Sequence, residues 1–131
     1  MALRLKLVTP TRQLVDEEVS EVTAPGSQGE FGVLAEHATF LGALGTGLLS
    51  YVCDGRRRQV VVYGGYGEVD GDIITVIADG AEFAEDIDGP QAREELAEAH
   101  RRLQAGAEDP AEVARLVGDL RRAEVRVEAL G

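Results

Sequence analysis

The stretch IITVIADGAEFAEDIDGPQAREELAEAH, residues 73–100, changes its rhythm halfway along. It opens on IITVI at 73–77, a β-branched run of the kind that fills a strand; after Asp86, Ala, Glu, Arg and Leu dominate and apolar residues return every three or four positions. A chain that switches from period two to period 3.6 at one point predicts two units of different class. The expected division is a β domain over residues 1–85 and a helical domain over 86–131.

Upstream of the switch the text keeps to strands. Leu3, Leu5 and Leu7 fall on one face, and VVVY at 60–63 repeats the β-branched signal. Asp54-Gly55 separates LLSYVC from RRRQVVVY, and Asp70-Gly71 separates YGEV from DIITVIAD; both dipeptides predict tight hairpins, because Gly and to a lesser extent Asp tolerate the positive φ such turns demand. Many short strands broken by turns predict an antiparallel β-sandwich, or flattened barrel, rather than a parallel sheet with crossover helices.

Downstream, Asp88 or Gly89 caps a first helix with Pro90 in its opening turn, and Ala92, Leu96, Ala99 and Leu103 line one stripe up to Gly106. Asp109, Pro110 and Glu112 announce a second helix through an Asp-x-x-Glu capping box; Leu116, Leu120, Ala123, Val127 and Leu130 form its stripe. The two make an antiparallel hairpin with lengths of about 22 and 31 Å, so the second overhangs the first. The overall class is α+β. Two of four positions on the first stripe are alanine, so the hairpin is marginal by itself: a buried Leu contributes roughly 1.5–3 kcal/mol, while backbone ordering costs about 1–2 kcal/mol per residue. Arg115, Arg121, Arg122 and Arg126 give the second helix a basic outer face, free to meet an acidic surface or to pair with Glu124 and Glu128 in the same helix.

Composition narrows the classes of function. Of 131 residues, 44% are hydrophobic, ample for a core, and a formal charge of −11 repels nucleic acid and anionic lipid and favours a basic partner. No apolar run approaches the roughly 20 residues needed to span a bilayer, and MALRLKLVTP has no signal-peptide core, so a cytosolic chain without membrane insertion is expected. The single cysteine, Cys53, forms no internal disulfide and is expected as a buried, inert thiol; paired-thiolate metal sites are excluded, and no metal or cofactor is expected.

The segment PGSQGEFGVLAEH, residues 25–37, invites three readings. As a phosphate loop it lacks a following helix and the Lys-Ser/Thr pair that meets phosphates and magnesium. As a catalytic pair, Glu30 and His37 have no third group to orient the imidazole and no Cys nucleophile nearby in the text. What remains is a glycine-rich surface whose backbone approaches a partner closely, anchored by Phe31 and Phe40: a docking edge.

Taken together, VTAPGSQGEFGVLAEHATFLGAL, then GGYGEVDGDIITVIADGAE, then a charged two-helix tail resemble the epsilon subunit of the bacterial F-type ATP synthase over essentially the whole chain. The resemblance implies a non-catalytic subunit of the central rotor. Its sandwich would sit on the gamma subunit and the polar loops of the c-ring, at the cytoplasmic face of the bacterial inner membrane, with Gly26, Ser27, Gly29, Glu30, Gly32 and His37 carrying that contact. Its hairpin would fold against the sandwich or extend along gamma into the catalytic head, where Arg115, Arg121, Arg122 and Arg126 meet the beta and alpha subunits and slow ATP hydrolysis. Ala35-Glu36 stands where many members carry Pro-Gly. Some members also bind ATP at the sandwich-helix junction; Asp88 and Arg93 are the candidates here, with Gln91 in place of the motif's arginine.

Overall fold

The protein is described from a computed structural model covering residues 3–26, 29–34 and 40–131, with backbone only for 29–34 and 40. Eight strands precede the helices: β1 (Leu3–Val8), β2 (Gln13–Val19), β3 (Glu21–Gly26), β4 (Gly29–Leu34), β5 (Phe40–Cys53), β6 (Arg56–Asp70), β7 (Ile73–Ala78) and β8 (Ala81–Phe83). They form one sheet in the order β2-β1-β7-β6-β5-β3-β4, with β8 added on β6. The sheet folds on itself so that Leu3, Leu5, Leu7, Val15, Val22, Leu49, Tyr51, Val60 and Val76 bury into one cluster. All ladders described are antiparallel except β1 on β7, which is parallel. The hairpin signals that mark the other strands say nothing of this pairing, because it joins segments far apart in the chain and no local turn encodes it.

The fold is made at a corner. Along β6, Val60 and Val62 point into the core, yet beyond the corner it is Gly67 and Val69 that do; along β5, Leu49 and Tyr51 give way to Leu44. The inward parity flips in both strands at one place while their register holds, from Leu44 against Gly65 to Thr46 against Tyr63. Gly64 and Gly65 sit there with φ of +82° and +122°, and a Cβ on Gly65 would lie 2.1 Å from the Ile77 carbonyl oxygen. Only glycine fits, since any side chain meets both the backbone of β7 and the strain of a left-handed conformation. The corner turns a long hairpin into two layers.

The turn at Asp54-Gly55 is as the sequence predicts, with both residues at positive φ. The next lies one residue later than expected: Asp70 pairs with Ile73, so Gly71 and Asp72 make the turn and only Gly71 takes positive φ. A single glycine at the first turn position suffices for the alternative mirror-image turn, which spares Asp70 the strained conformation.

After a short 3-10 turn at Ala84–Asp86, α1 runs from Gly89 to Ala105 and α2 from Pro110 to Glu128. Asp88 caps α1 by accepting from the Gln91 N–H at 3.0 Å, Pro90 occupies the first turn, and Gly106 at φ +75° ends it. Asp109 caps α2 from the Ala111 N–H at 2.9 Å, but Glu112 pairs with Arg115 and does not complete the capping box. With 17 and 19 residues the helices are nearly equal, about 25 and 28 Å, and the expected overhang is absent. The predicted stripes do face each other, with Ala92, Ala99, Leu116 and Ala123 buried. A second contact was not visible in the text: Val125 and Ala129 leave that stripe and pack with Ala92 on Val61 and Ile87 of the sandwich.

Candidate docking surface and helical hairpin

The glycine segment is a β-hairpin. Pro25 and Gly26 end β3, Gly29, Glu30 and Gly32 lie on β4, and Gly26 stands opposite Gly29 across the tip. Because β4 is last in the strand order, its outer edge has no partner among the described strands. Such an edge offers backbone donors and acceptors to another chain, and abundant glycine lets that chain come close. Ser27 and His37, the other two expected contacts, lie outside the described residues.

Sequence reasoning missed a surface beside it. Tyr66 stands between Ala43 on one side and Ile77 on the other, Ile77 is followed by Val8 of β1, and Leu41 precedes Ala43 by two on the same face. Leu41 is 71% exposed, Tyr66 61% and Ile77 57%. These side chains point away from a core that is already full, so they form an apolar row on the outside of the sheet, edged by Glu68 and Lys6. Gly26 pairs with Leu44, three residues from Leu41, which puts the row about 10 Å from the glycine hairpin. The available signal was in β7: IITVIA is apolar at five of its six positions, where a strand with one wet face alternates.

The arginines of α2 divide into two kinds. Arg115 pairs with Glu112, Arg121 with Glu128 and Arg122 with Asp119, all within the helix, with the three arginine side chains 49–67% exposed. Of the two readings left open, pairing inside the helix holds for these three arginines, although the particular pairs of Arg122 and Arg126 with Glu124 and Glu128 do not form. Arg126 instead turns inward, its side chain only 18% exposed, and donates through Nε and Nη2 to both oxygens of Glu82 at 3.0 and 3.2 Å and through Nη1 to Glu95 at 2.8 Å. Its place on the helix explains this: it adjoins Val125, which is fully buried against the sheet. Burial opposes its charge, and the two carboxylates more than offset that, so its pKa is raised. Tyr63 on β6 donates to the same Glu82 carboxylate; burial first and that carboxylate second push its phenol well above the ordinary range.

Around this cluster opens a cleft of about 630 Å³ between the helices and the sandwich, lined by Glu94, Glu98, Arg102 and Leu116 among others. Neither Asp88 nor Arg93 lines it. Asp88 is engaged as the cap of α1, while Arg93 lies exposed with its guanidinium near Gly89. Cys53, expected to be buried, is partly exposed at the end of β5, where burial and the neighbouring Glu17 and Asp54 raise its pKa and keep the thiol protonated. No helix among the described residues is long and apolar enough to cross a membrane.

Known proteins share this architecture. The family model for the ATP synthase Delta/Epsilon chain β-sandwich domain matches residues 2–84. The ATP synthase epsilon chain of Nitratidesulfovibrio vulgaris is 42% identical over 130 residues, covering 99% of this chain and 96% of that one. That of Solibacter usitatus is 46% identical over 112 residues, 84% of each chain. Among solved structures, a chain of the Euglena gracilis mitochondrial ATP synthase assembly of OSCP, F1 and c-ring superposes with a TM-score of 0.87 at 27% identity, over 99% of this chain and 82% of that one. A chain of the Tetrahymena thermophila mitochondrial ATP synthase central stalk and c-ring shares the fold, with a TM-score of 0.72 at 12% identity over 100% and 98%. With its sandwich matched by the family model and relatives alike over nearly its full length, the chain belongs to the ATP synthase epsilon family.

Proposed function

We propose that this chain is a non-catalytic rotor subunit of the central stalk, peripheral at the cytoplasmic face of the bacterial inner membrane, coupling proton translocation to ATP synthesis. Residues 1–85 are the dock, seated on the gamma subunit and the polar loops of the c-ring. Residues 86–131 are the regulatory part, slowing ATP hydrolysis when the hairpin reaches the beta and alpha subunits.

The observation that carries this reading is the exposed apolar row of Leu41, Tyr66 and Ile77 beside the open edge of β4. A rotor subunit must bind firmly enough to turn with its neighbours, and an apolar row flanked by backbone edge groups provides area and register together. Gly26, Ser27, Gly29, Glu30, Gly32 and His37 extend that contact toward the c-ring, and Arg115, Arg121 and Arg122 supply the basic face for the catalytic head. A nucleotide-sensing role for Asp88 and Arg93 gains no support, because the Asp88 carboxylate is committed to its helix cap. Binding to a gamma and c-ring subcomplex tests the reading. Tyr66→Asp and Ile77→Asp, both at exposed positions, are expected to keep the fold and weaken binding at least tenfold; unchanged binding by both would remove this face from the interface.

A further inference from the structure

Arg126 is the one arginine of α2, among the described residues, whose ion-pair partners lie off its own helix. Its fork grips Glu82 with two nitrogens and Glu95 with the third. Glu82 belongs to β8 and Glu95 to α1, so one side chain ties both helices to the sandwich. The tie is supported from below, because Tyr63 of β6 donates to the same Glu82 carboxylate and fixes where it points.

The apolar contact beside it is smaller than the core of the sandwich. Val125, Ala129 and Ala92 meet Val61 and Ile87, with Val127 and Leu130 from the helical side and Leu48 and Tyr63 from the sheet packed partly buried around them. Polar groups add to this apolar seat unequally, and most of them add little. The ion pairs within α2 are exposed and travel with the helix wherever it goes. Arg126 and Glu82 are different, at 18% and 28% exposed, with bidentate geometry that an arginine makes and a lysine does not. When α2 departs, this pair must break, and both carboxylates lose their counter-charge.

We propose that the Arg126–Glu82–Glu95 cluster is the latch that holds the helical hairpin closed on the sandwich, so that Arg126 serves the compact state and is not part of the free basic face. This locking device deepens the reading of the hairpin as a movable regulator, and rests on that reading for its biological use. It also separates α2 into a gripping side and a presenting side. Arg115, Arg121 and Arg122 remain outward in the closed form, available for a first encounter with an acidic surface, while Arg126 becomes available only after the latch opens.

Hydrogen exchange on the isolated full-length chain tests it without any activity assay. Arg126→Met and Glu82→Gln are each expected to speed amide exchange across Pro110–Glu128 at least tenfold while β1 and β7 keep their protection. The double variant is expected to go little further than either single one, because both remove the same contact. Arg126→Lys, which keeps the charge without the fork, is expected to fall between wild type and Arg126→Met. Unchanged exchange in both single variants, equal loss of protection in β1 and β7, or a double effect equal to the sum of the single ones would each overturn the latch. Hydrolysis by the catalytic head, measured with the same variants, keeps the two claims apart: faster exchange with unaltered inhibition leaves the latch standing and removes the regulatory reading.

Discussion

The sandwich and the hairpin are closed by different means. In the sandwich, Leu3, Leu5, Leu7, Leu49, Val60 and Val62 are wholly buried, and two long strands carry the fold through a corner that only glycine permits. In the hairpin, the buried positions are mostly alanine, the ion pairs along each helix are exposed, and a single largely buried arginine joins the helices to β8. Large side chains interlocked from several strands have one arrangement, and altering it costs several contacts at once. A hairpin seated on a smaller apolar cluster and one charged cluster can leave at the cost of fewer contacts, which is what a movable segment requires.

This contrast can be attacked from either side. The largest effect is expected at the corner: Gly65→Ala places a Cβ against the Ile77 carbonyl in a left-handed conformation, and should lower stability by about 2–4 kcal/mol and the unfolding midpoint by roughly 10 °C. Gly106→Ala, at positive φ but with nothing within 4 Å, should cost only about 1 kcal/mol in the same calorimetric measurement. Equal losses would show that the corner is not specially constrained. Next, Val125→Ala should cost about 1–3 kcal/mol, read as lost exchange protection in α2 with β1 and β7 unaffected. Loss spread evenly over both parts would mean that they unfold as one.

A smaller effect is expected from pH. The Tyr63 phenol is raised above its unfolded value of about 10, so its contribution is whole below pH 10 and is lost as pH rises beyond it. Denaturant unfolding at pH 8 and pH 11 should show wild type losing more stability than Tyr63→Phe over that interval. Tyr51, also raised by burial, is common to both and cancels. The smallest effects belong to the exposed pairs: Arg115→Ala and Arg122→Ala should each change stability by less than about 0.5 kcal/mol, and a loss above about 1 kcal/mol would show that the outer face of α2 is more firmly held than its exposure allows.

What the sequence revealed follows the same division. Caps, turns and periods are local, so Asp88, Pro90, Gly106, Asp54-Gly55 and both helical stripes could be read directly. The β1–β7 pairing could not, since it depends on how two distant strands meet. Val125 escaped because a helix seated on two surfaces carries a second stripe that one periodicity hides, and Arg126 escaped with it: its neighbours Glu82 and Glu95 lie 44 and 31 positions away. The corner glycines were visible as a motif, but their reason is the Ile77 backbone, which only the folded sheet brings near. The apolar row was legible in principle, in a strand apolar on both faces, yet its exposure depends on no helix covering that side.

A docking sandwich and a restraining hairpin should be separable in one titration. ATP hydrolysis by an epsilon-depleted catalytic head containing gamma would be followed as the full-length chain, or a version ending at Asp86, is added, with binding monitored in parallel. The sandwich core closes among its own strands, so the shorter form is expected to fold and to bind. Binding by both forms and inhibition by the longer one alone is the expected result; equal inhibition by the two, or binding that requires the helices, would contradict this division of roles.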